Sequence, residues 1–119
     1  MQRQDDRMST GMIRSTIRML IPLYKQSEAL EILESVRVQT QFEPGCIGSR
    51  LYHGTDEKRA IMIEELWMNE KDLTSHLRSD RYRRVLLVVE MAEESPDIRF
   101  ETITHWSGIE TIENARTHC

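Results

Sequence analysis

Alternation of apolar and polar residues, which is typical of half-buried strands, occurs in four parts of the chain. In the first, isoleucine and methionine alternate mainly with arginine and threonine until Pro22, which cannot donate a hydrogen bond to a strand ladder. The middle two flank the turn residues 54–58 and therefore predict a β-hairpin. The four predicted strands are 13–21, 46–53, 59–67 and 98–106.

Apolar residues spaced three and four apart predict helices between these strands. The first helix begins within residues 25–27 and stops at Pro44-Gly45, because the residue before a proline is pushed out of the α region. Asn69 and Ser79 are N-caps for two further helical segments, the second of which runs to Met91. The residues predicted to face the core are Ala29, Leu33, Val36 and Thr40 in the first helix, and Tyr82, Val85, Leu86 and Val89 in the last.

The order of these elements is β-α-β-β-α-(α)-β. It predicts an α+β fold of the ferredoxin-like kind, in which helices cover one side of an antiparallel four-stranded sheet. We expect residues 1–12 to form a flexible lead-in, 13–108 the folded domain, and 109–119 a polar tail with at most one short helix or edge segment. A chain of 119 residues has the usual size of one domain.

The third strand is apolar on both of its faces, although the chain has helices enough to cover only one. Leaving an apolar sheet face in water would forfeit several kcal/mol, at about 25 cal/mol per Å². The simplest cover is a second copy, so the sequence predicts a homodimer sealed sheet to sheet. The residues concerned are Ile61, Ile63 and Trp67 on one face, and Ala60, Met62 and Leu66 on the other.

Composition and charge narrow the range of partners. The formal net charge is -4, and acidic and basic residues are interleaved along the chain. The sequence therefore has no stripe of basic residues, and we do not expect it to bind nucleic acid. The apolar runs are too short to span a bilayer and no signal peptide precedes them, which predicts a cytoplasmic protein with no membrane partner. Cys46 and Cys119 make neither a disulfide framework nor a metal-ligand spacing.

The end of the third strand and the helix after it carry the candidate chemistry. Glu65 and Trp67 close the strand, while Leu73 and His76 lie on one face of the helix. A single strand-to-helix turn therefore brings a carboxylate, an indole and an imidazole to one corner. Because imidazole titrates near neutral pH, His76 is a candidate general base.

A structural interpretation stays open for each of these residues. His76 on an apolar helix face is equally well a core histidine satisfied by one hydrogen bond, and a tryptophan such as Trp67 is more often a core residue than one that stacks on a ligand. A partly buried Glu65 calls for a cation, and Arg18 or Arg50 across the sheet would supply one in a purely structural ion pair.

Two tyrosines complete the candidate pocket. Tyr82 either closes the pocket with its hydroxyl or only fills it. Tyr52 and His53 point to opposite faces of the second strand, so only one of them can enter, and Tyr52 is the residue we assign to the pocket. His105 and Trp106 close the last strand and are interpreted as interface residues.

Four motifs taken together resemble the antibiotic biosynthesis monooxygenase (ABM) family, over roughly residues 13–106. They are Glu43-Pro44-Gly45-Cys46-Ile47-Gly48, the hairpin that follows, Glu65-Leu66-Trp67, and His76-Leu77. The fold of that family is the dimeric α/β barrel, which agrees with the element order and with the second apolar sheet face.

The resemblance also implies an activity. Characterised ABM members include cofactor-independent oxygenases that oxidise quinols, anthrones and similar electron-rich phenols, with the substrate between sheet and helices. By motif position, Trp67 would wall that pocket and His76 and Glu65 would be its polar members. A related branch degrades haem with an asparagine on the first strand, which segment 13–21 lacks, so neither a cofactor nor a metal is expected.

Two hypotheses follow. In the first, the chain is a cofactor-independent monooxygenase in which His76, helped by Glu65, deprotonates a quinol or other small aromatic substrate in a dry pocket walled by Trp67, Leu73 and Tyr82. In the second, it is a non-catalytic dimer of the same fold, either binding a small molecule in that pocket or purely structural.

Overall fold

The computed structural model describes residues 11–117. The strands are β1 (Met12–Leu20), β2 (Cys46–His53), β3 (Ala60–Trp67) and β4 (Asp97–Ile103). The helices are α1 (Gln26–Thr40), α2 (Glu70–Leu77), α3 (Asp80–Val89) and α4 (Ile109–Thr117), with a 3-10 turn at Leu23–Lys25 before α1. Most of the expected lead-in, and Cys119, lie outside the described residues.

The four strands form one antiparallel sheet in the order β2-β3-β1-β4. The hairpin partners β2 and β3 are neighbours, and β1 lies between β3 and β4. This arrangement confirms the predicted α+β, ferredoxin-like fold. The dimeric barrel concerns a second chain and stays a prediction.

Helices α1, α2 and α3 cover one face of the sheet, which we call the inner face. The four core positions predicted for α1 are all buried, and so are Tyr82 and Val85 of α3. The prediction for Leu86 was wrong, because this residue is about half exposed and Val88 is buried in its place. A residue one step past Val85 turns by 100° around the helix, whereas Val88 returns to the buried stripe.

The last strand is shorter than the sequence predicted. β4 ends at Ile103 rather than at residue 106, and Trp106 stands 69% exposed in the segment before α4. The predicted tail contains one short helix, α4, and all of its residues are exposed. The alternation of apolar and polar residues continues beyond Ile103, the last residue that pairs with β1. A prediction based on this alternation alone therefore placed the end of β4 too late.

The outer face of the sheet carries both apolar and charged side chains. Ala60 is buried, and Met62 and Leu66 are partly buried, as the apolar pattern of β3 predicted. However, β3 itself and the neighbouring strands add charged side chains to the same face, namely Glu64 of β3 and Arg14, Arg18, Arg50, Asp97, Arg99 and Glu101 of the other strands. Any partner on this face must therefore match charge as well as cover apolar surface.

Across residues 11–117, the structure contains no helix whose length and hydropathy would suit a membrane crossing.

Candidate functional site

A row of three polar side chains crosses the inner face of the sheet beneath the helices. Glu65 of β3 pairs in register with Ser15 of β1 on one side and with Ser49 of β2 on the other. All three are buried, between apolar rows that continue the hydrophobic core. A buried carboxylate is costly unless a cation or hydrogen-bond donors face it, so the helices above must supply them.

Helix α2 supplies the cation. The Asn69 side chain caps the helix by accepting a hydrogen bond from the backbone N–H of Asp72 at 2.8 Å. With the first residue fixed in this way, the helical repeat places Leu73 and His76 on the buried side. His76 lies in the last turn, where the helix dipole favours a positive charge.

The turn between α1 and β2 brings a second carboxylate, that of Glu43. Gly45 has φ +80°, and a Cβ at this position would collide with the Asp72 side chain, so only glycine lets the turn pack against the start of α2. The backbone N–H of Met68 donates to the carbonyl of Gly45 at 2.8 Å and fixes the contact. Glu43 is thereby held beside His76.

His76 lies between these two carboxylates. Its Nδ1 is 2.9 Å from Glu43 Oε1, and its Nε2 is 3.1 Å from Glu65 Oε1. The Nδ1 contact has hydrogen-bond geometry, whereas the Nε2 contact has the distance of an ion pair with an N–H direction too oblique for a hydrogen bond. Arg81 of α3 pairs with the other oxygen of Glu43.

Two aromatic rings enclose the imidazole. The Trp67 ring centre is 4.7 Å from that of His76, with the planes inclined by 35°, and Tyr82 meets the imidazole edge-on at 5.2 Å. Trp67 Nε1–H also donates to Glu65 Oε1 at 3.4 Å. Leu73 and Ile13 pack against the indole from α2 and β1. The structure thus brings together all the predicted site residues except Tyr52.

The surroundings raise the pKa of His76. Burial, the largest influence, opposes the imidazolium, but the carboxylate of Glu65 and then that of Glu43 favour it and outweigh the burial. Because both ring nitrogens face carboxylates, the doubly protonated imidazolium fits this position best. That form cannot accept a proton, which argues against the simple general-base role expected for His76.

We expect the free energy of unfolding to fall as the pH rises above neutrality. A raised folded-state pKa means that the folded protein holds the His76 proton more tightly than the unfolded chain, so this stabilisation is complete below the unfolded value of about 6.5. It is lost as the pH rises through the higher folded value. Urea unfolding between about pH 6 and pH 9 measures the slope. A His53→Gln variant should keep it, and a free energy that stays constant or rises over this range would contradict the assignment.

Comparison with known families identifies the relationship. The family model described as antibiotic biosynthesis monooxygenase matches residues 12–86, which is more than half of the chain. The chain belongs to the ABM family. The resemblance drawn from its motifs is confirmed, and the matched segment contains Glu43, Glu65, Trp67, His76 and Tyr82.

Solved structures agree on the fold. A conserved protein from Methanosarcina mazei Go1 is 24% identical with a TM-score of 0.71, covering 76% of this chain and 91% of its own. A candidate antibiotic biosynthesis monooxygenase from Nitrosomonas europaea is 17% identical with a TM-score of 0.73, covering 84% and 98%. A third, from Caulobacter crescentus CB15, is 18% identical with a TM-score of 0.72, covering 80% and 92%. No curated protein matches this chain.

Two residues next to the cluster of Glu43, Glu65 and His76 stay protonated at neutral pH. Burial, and to a smaller degree the charge of Glu65, raises the pKa of Tyr82 to about 12. Burial, followed by the same charge, raises the pKa of the Cys46 thiol to about 11. A neutral thiol is a poor nucleophile, which argues against a nucleophilic role for Cys46. The residues in 11–117 provide no group of three or more histidine, cysteine, aspartate or glutamate side chains suited to a metal ion.

The corner around His76 is filled in this arrangement. Trp67 is 0% exposed and His76 1%, which leaves no water-sized space against either ring. The large hollow, of about 750 Å³, opens instead on the outer face, where Ile47, Leu66 and Trp106 contribute to its lining. A substrate could reach His76 only if the side chains above it moved.

Tyr52 lies on the outer face and takes no part in the cluster. A β-bulge between Cys46 and Gly48 shifts the alternation of β2 by one residue, so that Ser49 turns inward and Tyr52 outward. The Tyr52 hydroxyl donates to Glu64 at 3.4 Å, and Arg50 pairs in register with Glu64. The assignment of Tyr52 to the pocket is therefore corrected, and Arg50 is not the cation for Glu65.

Sequence reasoning missed the roles of Glu43 and Arg81. Glu43 was interpreted only as part of a helix stop, since nothing local shows that it reaches a histidine 33 positions later. Arg81 follows the Ser79 cap in an arginine-rich segment, which is typical of a solvent-exposed helix face. The one available signal was the glycine after the proline, because a turn that requires Gly45 is one that packs closely against another element.

Proposed function

We propose that this ABM-family chain is a cofactor-independent monooxygenase acting on a quinol or another small electron-rich aromatic compound. The observation that supports it is the convergence of Glu65, His76 and Trp67 in a corner shielded from water. Charged groups act most strongly in such surroundings, because no solvent screens them.

We infer roles for Glu65 and His76 that differ from those expected from the sequence. Glu65, as the carboxylate, accepts the proton of a substrate hydroxyl or activated CH₂ group. His76, as the imidazolium beside it, stabilises the anion and the negative charge that passes to O₂. For an anthrone-type substrate the CH₂ group becomes C=O while the second oxygen atom leaves as water. The substrate supplies all the electrons, so no other reductant is needed.

Access requires helix α2 to move away from the sheet. The helix has eight residues, of which Leu73 and His76 alone are buried. Such a small buried surface makes local opening less costly than unfolding of the sheet. Quenching of Trp67 fluorescence by a quinol, in a Trp106→Phe background where Trp67 is the remaining tryptophan, would report this entry.

We expect the wild-type protein to consume O₂ with at least one quinol or anthrone, and Glu65→Gln to lower kcat by about 10²–10⁴-fold. The matched control is Glu64→Gln, which removes the adjacent carboxylate on the outer face and should keep wild-type turnover. An oxygen electrode gives the rates. Absence of oxygen uptake with every substrate in a broad quinol panel, or normal turnover by Glu65→Gln, would refute the proposal.

The filled corner favours one alternative, a non-catalytic dimer of the same fold. In that case the ion pairs of His76 only stabilise the domain. Quinols would then either raise the melting temperature without oxygen uptake, as a binding protein requires, or have no effect at all, as a structural protein requires.

We also propose a homodimer packed through the outer sheet face, in a cytoplasmic setting. Support comes from the partly buried Met62 and Leu66 and from the exposed Trp106 at the margin of that face. Light scattering should give twice the chain mass, and Leu66→Arg should shift the protein towards the monomer. Leu87→Arg, on the exposed side of α3, is the control and should leave the dimer intact. A monomeric wild type would exclude this interface.

A further inference from the structure

One carboxylate of the cluster reaches water while the other does not. The Glu43 side chain is 16% exposed, whereas that of His76 is 0% and that of Glu65 is 5% exposed. The imidazole contacts both, through Nδ1 on the Glu43 side and Nε2 on the Glu65 side. The ring is therefore the link between a buried carboxylate and one at the surface.

Glu43 is fixed in place from two directions. Arg81 of α3 pairs with its Oε2, leaving Oε1 for the imidazole. The turn that carries Glu43 is held by the Gly45–Asp72 contact and by the hydrogen bond from Met68. A side chain that only solvated a loop would not need restraint from both α2 and α3.

We propose that Glu43 is the proton port of the site and positions His76 for that role. The inference rests on the proposed function of Glu65 as the proton acceptor. Once the imidazolium has given its Nε2 proton to the departing oxygen atom, the ring is neutral and keeps its remaining proton on Nδ1. The proton on Glu65 then moves to Nε2 as the carboxylate swings into line, while the Nδ1 proton moves to Glu43 Oε1. One N–H bond forms as the other breaks, and Glu43 then releases its proton to water. A proton that returns from water through Glu43 to Nδ1 restores the imidazolium, and no oxidant or reductant takes part.

Three titratable side chains from three different parts of the chain face the imidazole of His76. Glu65 comes from β3, Glu43 from the turn before β2, and Tyr82 from α3. Arg81 acts on the ring through Glu43. Tyr82 keeps its proton because burial raises its pKa to about 12, so the two carboxylates are the groups that exchange protons with the ring.

The test is an NMR titration of the His76 imidazole in the full-length chain, with and without the Glu43 carboxylate. In Glu43→Gln we expect the midpoint of the His76 titration to fall by about 1 pH unit or more, because one of two facing anions is lost. Exchange of the ring N–H with solvent should slow by at least about tenfold. Glu43→Asp should restore part of both effects. Glu34→Gln, which removes a carboxylate paired to Arg37 at the surface, should change neither.

A second variant keeps the test decisive if Glu43→Gln does not fold. Arg81→Gln removes a cation next to Glu43, so the His76 midpoint should rise, opposite in sign to the effect of Glu43→Gln. A wild-type midpoint and exchange rate in Glu43→Gln, or a midpoint that falls or stays fixed in Arg81→Gln, overturns the proposal.

Turnover separates this inference from the proposed function. If the wild type consumes oxygen, Glu43→Gln should lower kcat and leave KM unchanged, because proton release and not substrate contact is impaired. If the wild type consumes none, the oxygenase proposal fails, whereas the NMR measurements still decide whether Glu43 connects the buried pair to water.

Discussion

His76→Leu should lower the free energy of unfolding by about 3–5 kcal/mol, the usual cost of removing one partner from a buried ion pair. The substitution leaves Glu43 and Glu65 facing each other's charge around an apolar side chain, with Glu65 deep in the sheet core. Leucine fills much of the volume of the imidazole, so lost charge and not a cavity dominates. For a domain with a total stability of about 5–15 kcal/mol this loss is large. Urea unfolding followed by circular dichroism at pH 6 measures it.

The control and the second variant isolate the electrostatic cause. His53→Leu alters an exposed histidine on β2 and should cost less than about 1 kcal/mol. Adding Glu65→Gln to His76→Leu should recover part of the stability, because the uncompensated buried charge is removed. A loss below about 1 kcal/mol for His76→Leu, or no recovery in the double variant, would mean that the three groups are not an ionised cluster.

Trp67→Ala is expected to be about as damaging, at roughly 3–5 kcal/mol, for a different reason. The indole is fully buried between Ile13, Leu73 and the imidazole, so truncation opens a cavity at the end of the sheet. It also removes the donor to Glu65. The effect should appear as a lower melting temperature in thermal unfolding.

The other tryptophan of the chain is a matched control. Trp106 is 69% exposed, and Trp106→Ala should leave the melting temperature nearly unchanged if the measurement is made on the monomer. Trp67→Phe should fall between the two, since a smaller ring still fills part of the space. Equal effects of the two alanine substitutions on the monomer would show that Trp67 is not the core residue described here.

Stability and the proposed catalysis depend on the same residues. His76 stabilises the fold through the ion pairs, and the proposed chemistry uses the same pairs to move a proton. A site of this kind has little freedom to change, because each variant that tests the reaction also loosens the core. The conservative variants Glu65→Gln and Glu43→Gln, which keep size while removing charge, are therefore more informative for turnover than truncations.

The fold was largely accessible from the sequence. Strand alternation, the Asn69 and Ser79 caps, and the Pro44-Gly45 stop depend on neighbours within a few residues, so their physical causes can be identified in the chain itself. The same local rules led to the wrong face for Leu86 and to an overlong β4. In both cases the outcome depended on which residues meet a partner element, and that information is not local.

What the sequence determined by itself is the order and type of the elements, the inward side of β3, and the convergence of Glu65, Trp67 and His76 on one corner. Only the tertiary structure decided three further matters. A single bulge in β2 places Tyr52 on the outer face, because a shift of one residue moves every following side chain of the strand to the opposite face of the sheet. Glu43 joined the site from a turn 33 residues before His76 because packing, not sequence spacing, brought the two together, and Arg81 reached Glu43 from the start of α3. The charge on the imidazole followed from those contacts, because a histidine takes its protonation state from the groups that surround it.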